Sequence, residues 1–128
     1  FHDFTVINVA YLSDWVAARI LEFKRRKEIL NRTREHLNHN LDILLKWGED
    51  FPELEFSRPD AAAITFAKIN LHSNCEEFVF ELRDNYSVLL TAGKWHGVEG
   101  YVRFGYGAPT DYMKSGLDRI AKYFIKLR

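Results

Sequence analysis

The sequence predicts an α+β fold: a long N-terminal helix, then a β-α-β-β-α unit whose small, mainly antiparallel sheet is covered by helices. Three observations predict it. Apolar residues recur at helical spacing between Ser13 and Gly48, short β-branched and aromatic runs occupy the second half, and helix-start signals separate and close those runs. At 128 residues the chain has the size of one domain, and a hydrophobic content of 47% is enough to build a core.

Residues 1–12 form an extended, apolar entry segment. From 13 to 48 the stripe Val16, Ile20, Phe23, Leu30, Leu37, Leu41 and Leu44 predicts an amphipathic helix, with Ser13 as N-cap and Gly48 as stop. Unbroken, it would be on the order of 50 Å long, the reach of a rod that connects more than one body. The basic run Lys24-Arg25-Arg26-Lys27 inside it, flanked by Glu22 and Glu28, reads as a solvated face.

Residues 49–128 form the small α+β domain. Pro52 and Pro59 make 49–60 a connection. Residues 61–70 read as a strand with Ile64, Phe66 and Lys68 on one face. Ser73 and Glu76 form a capping box for a short helix with the apolar side Phe78, Val79 and Leu82, ending near Asn85. A second strand spans 86–91, a Gly-rich turn 92–100, and a third strand 101–106. Pro109 and Thr110 introduce the last helix, whose face is Met113, Leu117, Ile120, Phe124 and Leu127.

Composition excludes several functions. Lys plus Arg and Asp plus Glu each total 18, so no net field draws in nucleic acid or an anionic membrane, and neither is an expected partner. No run approaches the roughly 20 apolar residues of a bilayer span, and the start carries no basic signal region. A single cysteine, Cys75, allows neither an intrachain disulfide nor a Cys-based zinc cluster, which fits a cytoplasmic setting. The chain opens without an initiator Met, directly in an apolar segment, and this predicts a fragment of a larger protein.

Few residues suggest chemistry. His36 and His39 stand at i, i+3 with no third ligand at matching spacing, so a surface pair is expected and a metal site is not. Cys75 opens the short helix but has no accompanying base. His2 and His72 have no nameable partner. The informative stretch is 88–107, where an apolar run enters a turn rich in glycine and then a strand carrying Arg103 between Val102 and Phe104. The planar guanidinium fork pairs a carboxylate bidentately, and Gly93, Gly97, Gly100, Gly105 and Gly107 allow the backbone to turn tightly beside a ligand. A structural ion pair or an edge position are the other readings of Arg103.

Here the sequence resembles a family, the class I and II pyridoxal-phosphate-dependent aminotransferases of the aspartate aminotransferase fold type. The likeness rests on Val88-Leu89-Leu90-Thr91-Ala92-Gly93, Lys94-Trp95-His96-Gly97, Tyr101-Val102-Arg103-Phe104-Gly105 and Leu117-Asp118-Arg119-Ile120, in that order. Asp3-Phe4-Thr5-Val6-Ile7 is similar to the segment after the cofactor-lysine region, and Glu28 to Arg34 to the interdomain helix. The match is to the C-terminal, small domain.

The resemblance implies that Arg103 binds the substrate α-carboxylate and that Trp95 and His96 line the side-chain pocket. Ala92 stands where the family usually has Pro, and His96 where it often has Phe, which leaves the loop and the pocket less defined. The Schiff-base lysine in its Ser-x-x-Lys context, the Asp at the pyridine nitrogen and the phosphate cup would lie upstream; Lys68 and Lys94 lack that context. The parent would be a homodimeric transferase, moving an amino group between an amino acid and a 2-oxo acid with pyridoxal 5'-phosphate. This chain alone would carry no catalytic residue, no cofactor and no activity, and would expose apolar surface toward the absent large domain. The alternative is a stand-alone module that binds a small carboxylate or dimerises along the long helix, without catalysis.

Overall fold

The computed structural model describes residues 10–71 and 74–128. They fall into two compact units, one ending at Glu35 and the other comprising His36–Arg128.

In the first unit the expected continuous helix is two helices. α1 covers Tyr11–Leu21, and α2 starts at Phe23 and runs to Gly48. Between them Glu22 is extended (φ −52°, ψ 132°), and its carbonyl accepts the Arg26 N–H at 2.8 Å, so it starts α2 in the manner of an N-cap. A helix draws most of its stability from a packed face, and no residue of α1 is buried. Interrupting it at Glu22 therefore costs little. Ser13, the expected cap, lies inside α1. Val16, Ile20, Phe23 and Leu30 are exposed, and so is the basic run, as a solvated face should be.

The second unit holds a four-stranded sheet of order β1-β2-β4-β3, antiparallel throughout, from β1 (Leu54–Phe56), β2 (Ile64–Ile69), β3 (Thr91–Ala92) and β4 (Tyr101–Gly105). α3 (Cys75–Tyr86) and α4 (Thr110–Leu127) complete it. The α+β class is as the sequence predicts. The register assigns the two faces through the alternation of a pleated strand. Leu54, Thr65, Ala67, Ala92, Val102 and Phe104 face inward and are buried; Glu55, Ile64, Phe66, Lys68, Thr91, Tyr101, Arg103 and Gly105 share the other side. Leu41 and Leu44 of α2 join Phe78, Val79 and Leu82 of α3 and Met113, Leu117, Ile120 and Phe124 of α4 in the core. Phe124 is its centre, with ring contacts to Phe51, Phe78 and Tyr123.

Four local expectations change. The supposed connection 49–60 contains β1, a three-residue edge strand, too short between Pro52 and Pro59 to register as a periodic pattern. The supposed strand 86–91 is mostly not one: Tyr86 ends α3, Ser87 turns left-handed (φ 54°) while the Val88 N–H closes onto the Leu82 carbonyl, and only Thr91 and Ala92 pair with β4. Val88 and Leu90 are apolar because they meet the core. The capping box fell on Ser73, which is outside the described residues; Asn74 caps α3, accepting the Glu76 N–H at 3.1 Å. Leu127 is exposed at the end of α4, and Tyr123 takes the buried place beside Phe124.

Candidate carboxylate site on the open sheet face

Arg103 sits on β4, an interior strand, with Phe66 directly opposite on β2 and Thr91 directly opposite on β3. The edge reading is thereby removed. Val102 and Phe104 are buried on the other side, so the strand is anchored and Arg103 must project from the open face, where it is half-buried. The other strand cation of that face, Lys68, has Glu55 directly across from it on β1. Arg103 has only an aromatic and a hydroxyl neighbour across the strands. None of the ion pairs among the described residues uses it.

The turn before β4 is a 3-10 turn, Gly93–His96, closed by Gly97 in the left-handed region (φ 76°). Gly93 is required there, because a Cβ would lie 2.4 Å from the Val98 carbonyl oxygen and 2.7 Å from that of Tyr101. From this turn successive side chains diverge. Lys94 Nζ donates to Glu76 Oε2 at 2.8 Å and Trp95 Nε1 to Glu76 Oε1 at 3.0 Å, while the indole lies against Phe80; all of these partners belong to α3. The Lys94 hydrogen bond, followed by that of Trp95, holds the Glu76 carboxyl below the usual range and raises Lys94 in turn. His96 goes the other way, packing edge-on against the Phe66 ring at 6.1 Å between centroids. The structure therefore packs His96 on Phe66, the residue across from Arg103, and commits Trp95 to α3.

The segment after β4 is fixed by a polar network that sequence reasoning missed. Asn40 of α2, fully buried, donates from Nδ2 to the carbonyls of Tyr106 and Ala108 at 2.8 Å each and accepts from Thr110 Oγ1 at 2.7 Å. The Tyr106 hydroxyl donates to the Ala62 carbonyl at 2.9 Å, and burial pushes its ionisation up. The signal was an asparagine inside the apolar stripe, next to Leu41. His36, expected at the surface with His39, is half-buried and lies 3.0 Å from the Ala108 carbonyl; His39 is exposed. Among the described residues no group of three potential ligands could hold a metal. Burial, then the Glu99 charge, raises the Cys75 thiol, opposite to the shift of a reactive thiolate. His2 and His72 lie outside the described residues, and no helix among these is long and apolar enough to cross a membrane.

No family model matches the chain. A pyridoxal-phosphate-dependent aminotransferase from Streptococcus suis superposes with a TM-score of 0.90 at 31% identity, over 99% of this chain and 33% of that one. The chain has the aminotransferase small-domain fold. A (5-formylfuran-3-yl)methyl phosphate transaminase from Methanocaldococcus jannaschii is 28% identical over 122 residues, 94% of this chain and 32% of the relative. A pyridoxal-phosphate-dependent cyclase shares the small-domain fold at a TM-score of 0.86 and 21% identity, over 99% of this chain and 35% of that one. The chain thus spans about a third of the length of these relatives.

Proposed function

We propose that this chain is the C-terminal domain of a pyridoxal-phosphate-dependent aminotransferase and supplies Arg103 as the residue that binds the substrate α-carboxylate. The observation that carries the reading is Arg103 itself, held on an interior strand, on the open face, with no anionic side chain directly across from it. Two parallel N–H···O bonds from the guanidinium would fix both the position and the plane of a carboxylate. With the carboxylate fixed, rotation of the amino acid is restricted and its Cα–H bond can be presented in one direction, which is how positioning lowers the barrier of a subsequent proton transfer. Phe66 and Thr91 flank Arg103 on the neighbouring strands, and the Asn40 network holds the chain that leaves β4, so Arg103 is presented by rigid elements.

Pyridoxal phosphate, when bound, supplies an electron sink for deprotonation at Cα. Lys94 is tied to Glu76 and Lys68 stands across from Glu55. Holding the cofactor therefore falls to the portion of the relatives that this chain does not span, and the chain alone is expected to be inactive. Amino acids and 2-oxo acids as substrates, a cytoplasmic location and a homodimeric parent belong to the same reading.

The test is a titration of the chain with butyrate followed by amide NMR. Perturbations centred on β4 and absent in Arg103→Ala, with the rest of the spectrum intact, are expected. Equal binding by Arg103→Ala would remove the site from Arg103. Sequence upstream of the codon for Phe1 tests the parent: an in-frame Ser-x-x-Lys segment is expected, and a start codon there would favour a stand-alone carboxylate module.

A further inference from the structure

We propose that the cavity between residues 87–90 and α4 is a second ligand site, separate from Arg103, which takes a ring-sized apolar molecule carrying one carboxylate, with Arg119 as its anion-binding residue.

The cavity exists because β3 parts from β4. The Tyr106 N–H donates to the Ala63 carbonyl and the Ile69 N–H to that of Gly100, so even-numbered residues of β4 turn their backbone groups toward β2 and odd-numbered ones turn theirs away from it. Arg103 accordingly meets Thr91 of β3. Continued by two residues, the same register would set Leu89 against Gly105. Pairing stops at Thr91 instead, and the left-handed Ser87, with the Val88 N–H on the Leu82 carbonyl, holds the preceding segment to the end of α3. The N–H and carbonyl of Gly105 are thereby turned into the gap.

This gap is a cavity of about 170 Å³ whose apolar walls are Leu90, Phe104, Met113, Leu117 and Ile120. An engineered apolar cavity of about 150 Å³ takes benzene, so the space suits one six-membered ring. Gly105 and Gly116 border it, and a Cβ on either would meet no atom within 4 Å. Gly116 lies inside α4, where glycine weakens a helix relative to alanine, and no neighbour requires its missing side chain. Its effect is to leave the space free.

The charge at the rim decides the ligand. Arg119 is the one charged side chain among the described residues that line the cavity; Asp111, Lys114, Asp118 and Lys122 of the same helix do not line it. On α3, the neighbouring Asp84 is paired with Arg83. Arg119 Nη1 donates to the Ser87 carbonyl at 3.2 Å, and none of the ion pairs among the described residues uses this guanidinium. A guanidinium carries several donors in a fixed fork, so others remain for a carboxylate. A ring in the cavity with its acid group at Arg119 therefore satisfies both the apolar walls and the charge.

The experiment titrates the chain with phenylacetate, benzyl alcohol and acetate, followed by amide NMR. Phenylacetate should shift Leu89 and Gly105 and bind at least about threefold more tightly than benzyl alcohol, the scale of one charge-assisted hydrogen bond partly screened by solvent. Acetate, lacking the ring, should leave both amides unmoved. Arg119→Gln should bring the two ring probes to about the same affinity. Gly116→Leu fills the space with a residue that a helix prefers, and should weaken both at least about tenfold with the rest of the spectrum intact. Arg103→Ala should change none of this, which separates the cavity from the α-carboxylate site. Shifts that persist in Gly116→Leu or vanish in Arg103→Ala overturn the proposal, as does equal affinity for the two ring probes in wild type. Shifts of Leu89 and Gly105 that follow protein concentration without any probe would assign the cavity to a second copy of the chain and overturn it likewise.

Discussion

Val16, Ile20 and Leu30 recur at the same helical spacing as Leu41 and Leu44, yet the first group stands exposed in the unit ending at Glu35 and the second is buried in His36–Arg128. The pattern is the same in both; the partners differ. A stripe of apolar residues specifies which side of a helix will be buried if something covers it, and nothing in the periodicity specifies the cover. In His36–Arg128 the cover is Phe51, α3, α4 and the inward sheet face. Among the described residues of the first unit the hydrogen bonds of the helices themselves are the main support, and a helix of 11 residues such as α1 is marginal on that basis.

The sharpest test of this contrast is Phe124→Ala, which empties the space between Phe51, Phe78 and Tyr123 and should cost about 3–5 kcal/mol of urea-derived stability. Asn40→Ala comes next. It takes the Asn40 partner from the Tyr106 carbonyl and the Thr110 hydroxyl, leaving the Ala108 carbonyl to His36 alone, and should cost about 2–3 kcal/mol, read by the same measurement. Gly93→Ala forces a Cβ into two carbonyl oxygens of backbone, with an expected loss of about 1–3 kcal/mol and a displaced His96 resonance. In the first unit, Val16→Ala should change stability by less than about 0.5 kcal/mol; a loss of 2 kcal/mol or more, on the order of a buried aliphatic, would show that this face is packed in solution. Amide exchange in α1 should correspondingly be far faster than in α4.

The smallest effect concerns acid. The hydrogen bond from Arg128 holds the Glu53 carboxyl below its ordinary value of 4.5 in the folded chain. A depressed folded value means that the ionised carboxylate stabilises the fold at pH above 4.5, and that this contribution is lost as pH falls below it through the folded value. Glu53→Gln should therefore flatten the decline of stability in that acidic window and change little at neutral pH. An unchanged acid slope would mean that the pair does not persist in solution.

How far the site was legible follows the same division. Arg103 stood out because a charged residue between Val102 and Phe104 on a strand needs a partner, but a carboxylate site, an ion pair and an edge position stayed open until strand pairing placed β4 inside the sheet. His96 and Trp95 could not be separated by sequence, since adjacent residues of a turn have no fixed sides until Glu76, 19 positions before Trp95, takes one of them. Asn40 was hidden for a related reason: its partners are 66 and 68 residues away, and a polar residue in an apolar stripe does not announce whether it is satisfied.

The sequence by itself determined the local elements with strong short-range signals: α3, α4, β2 and β4, and the turn glycines. Tertiary structure decided the rest. It made 54–56 an edge strand by offering it β2, limited 86–91 to two paired residues because α3 extends through Tyr86, interrupted the N-terminal helix at Glu22 where no packed face opposed the break, and sent His96 toward Phe66 by engaging its two predecessors. Periodicity, capping and turn chemistry act within a few residues along the chain, whereas burial, strand pairing and side-chain networks depend on what the fold brings into contact across dozens of them.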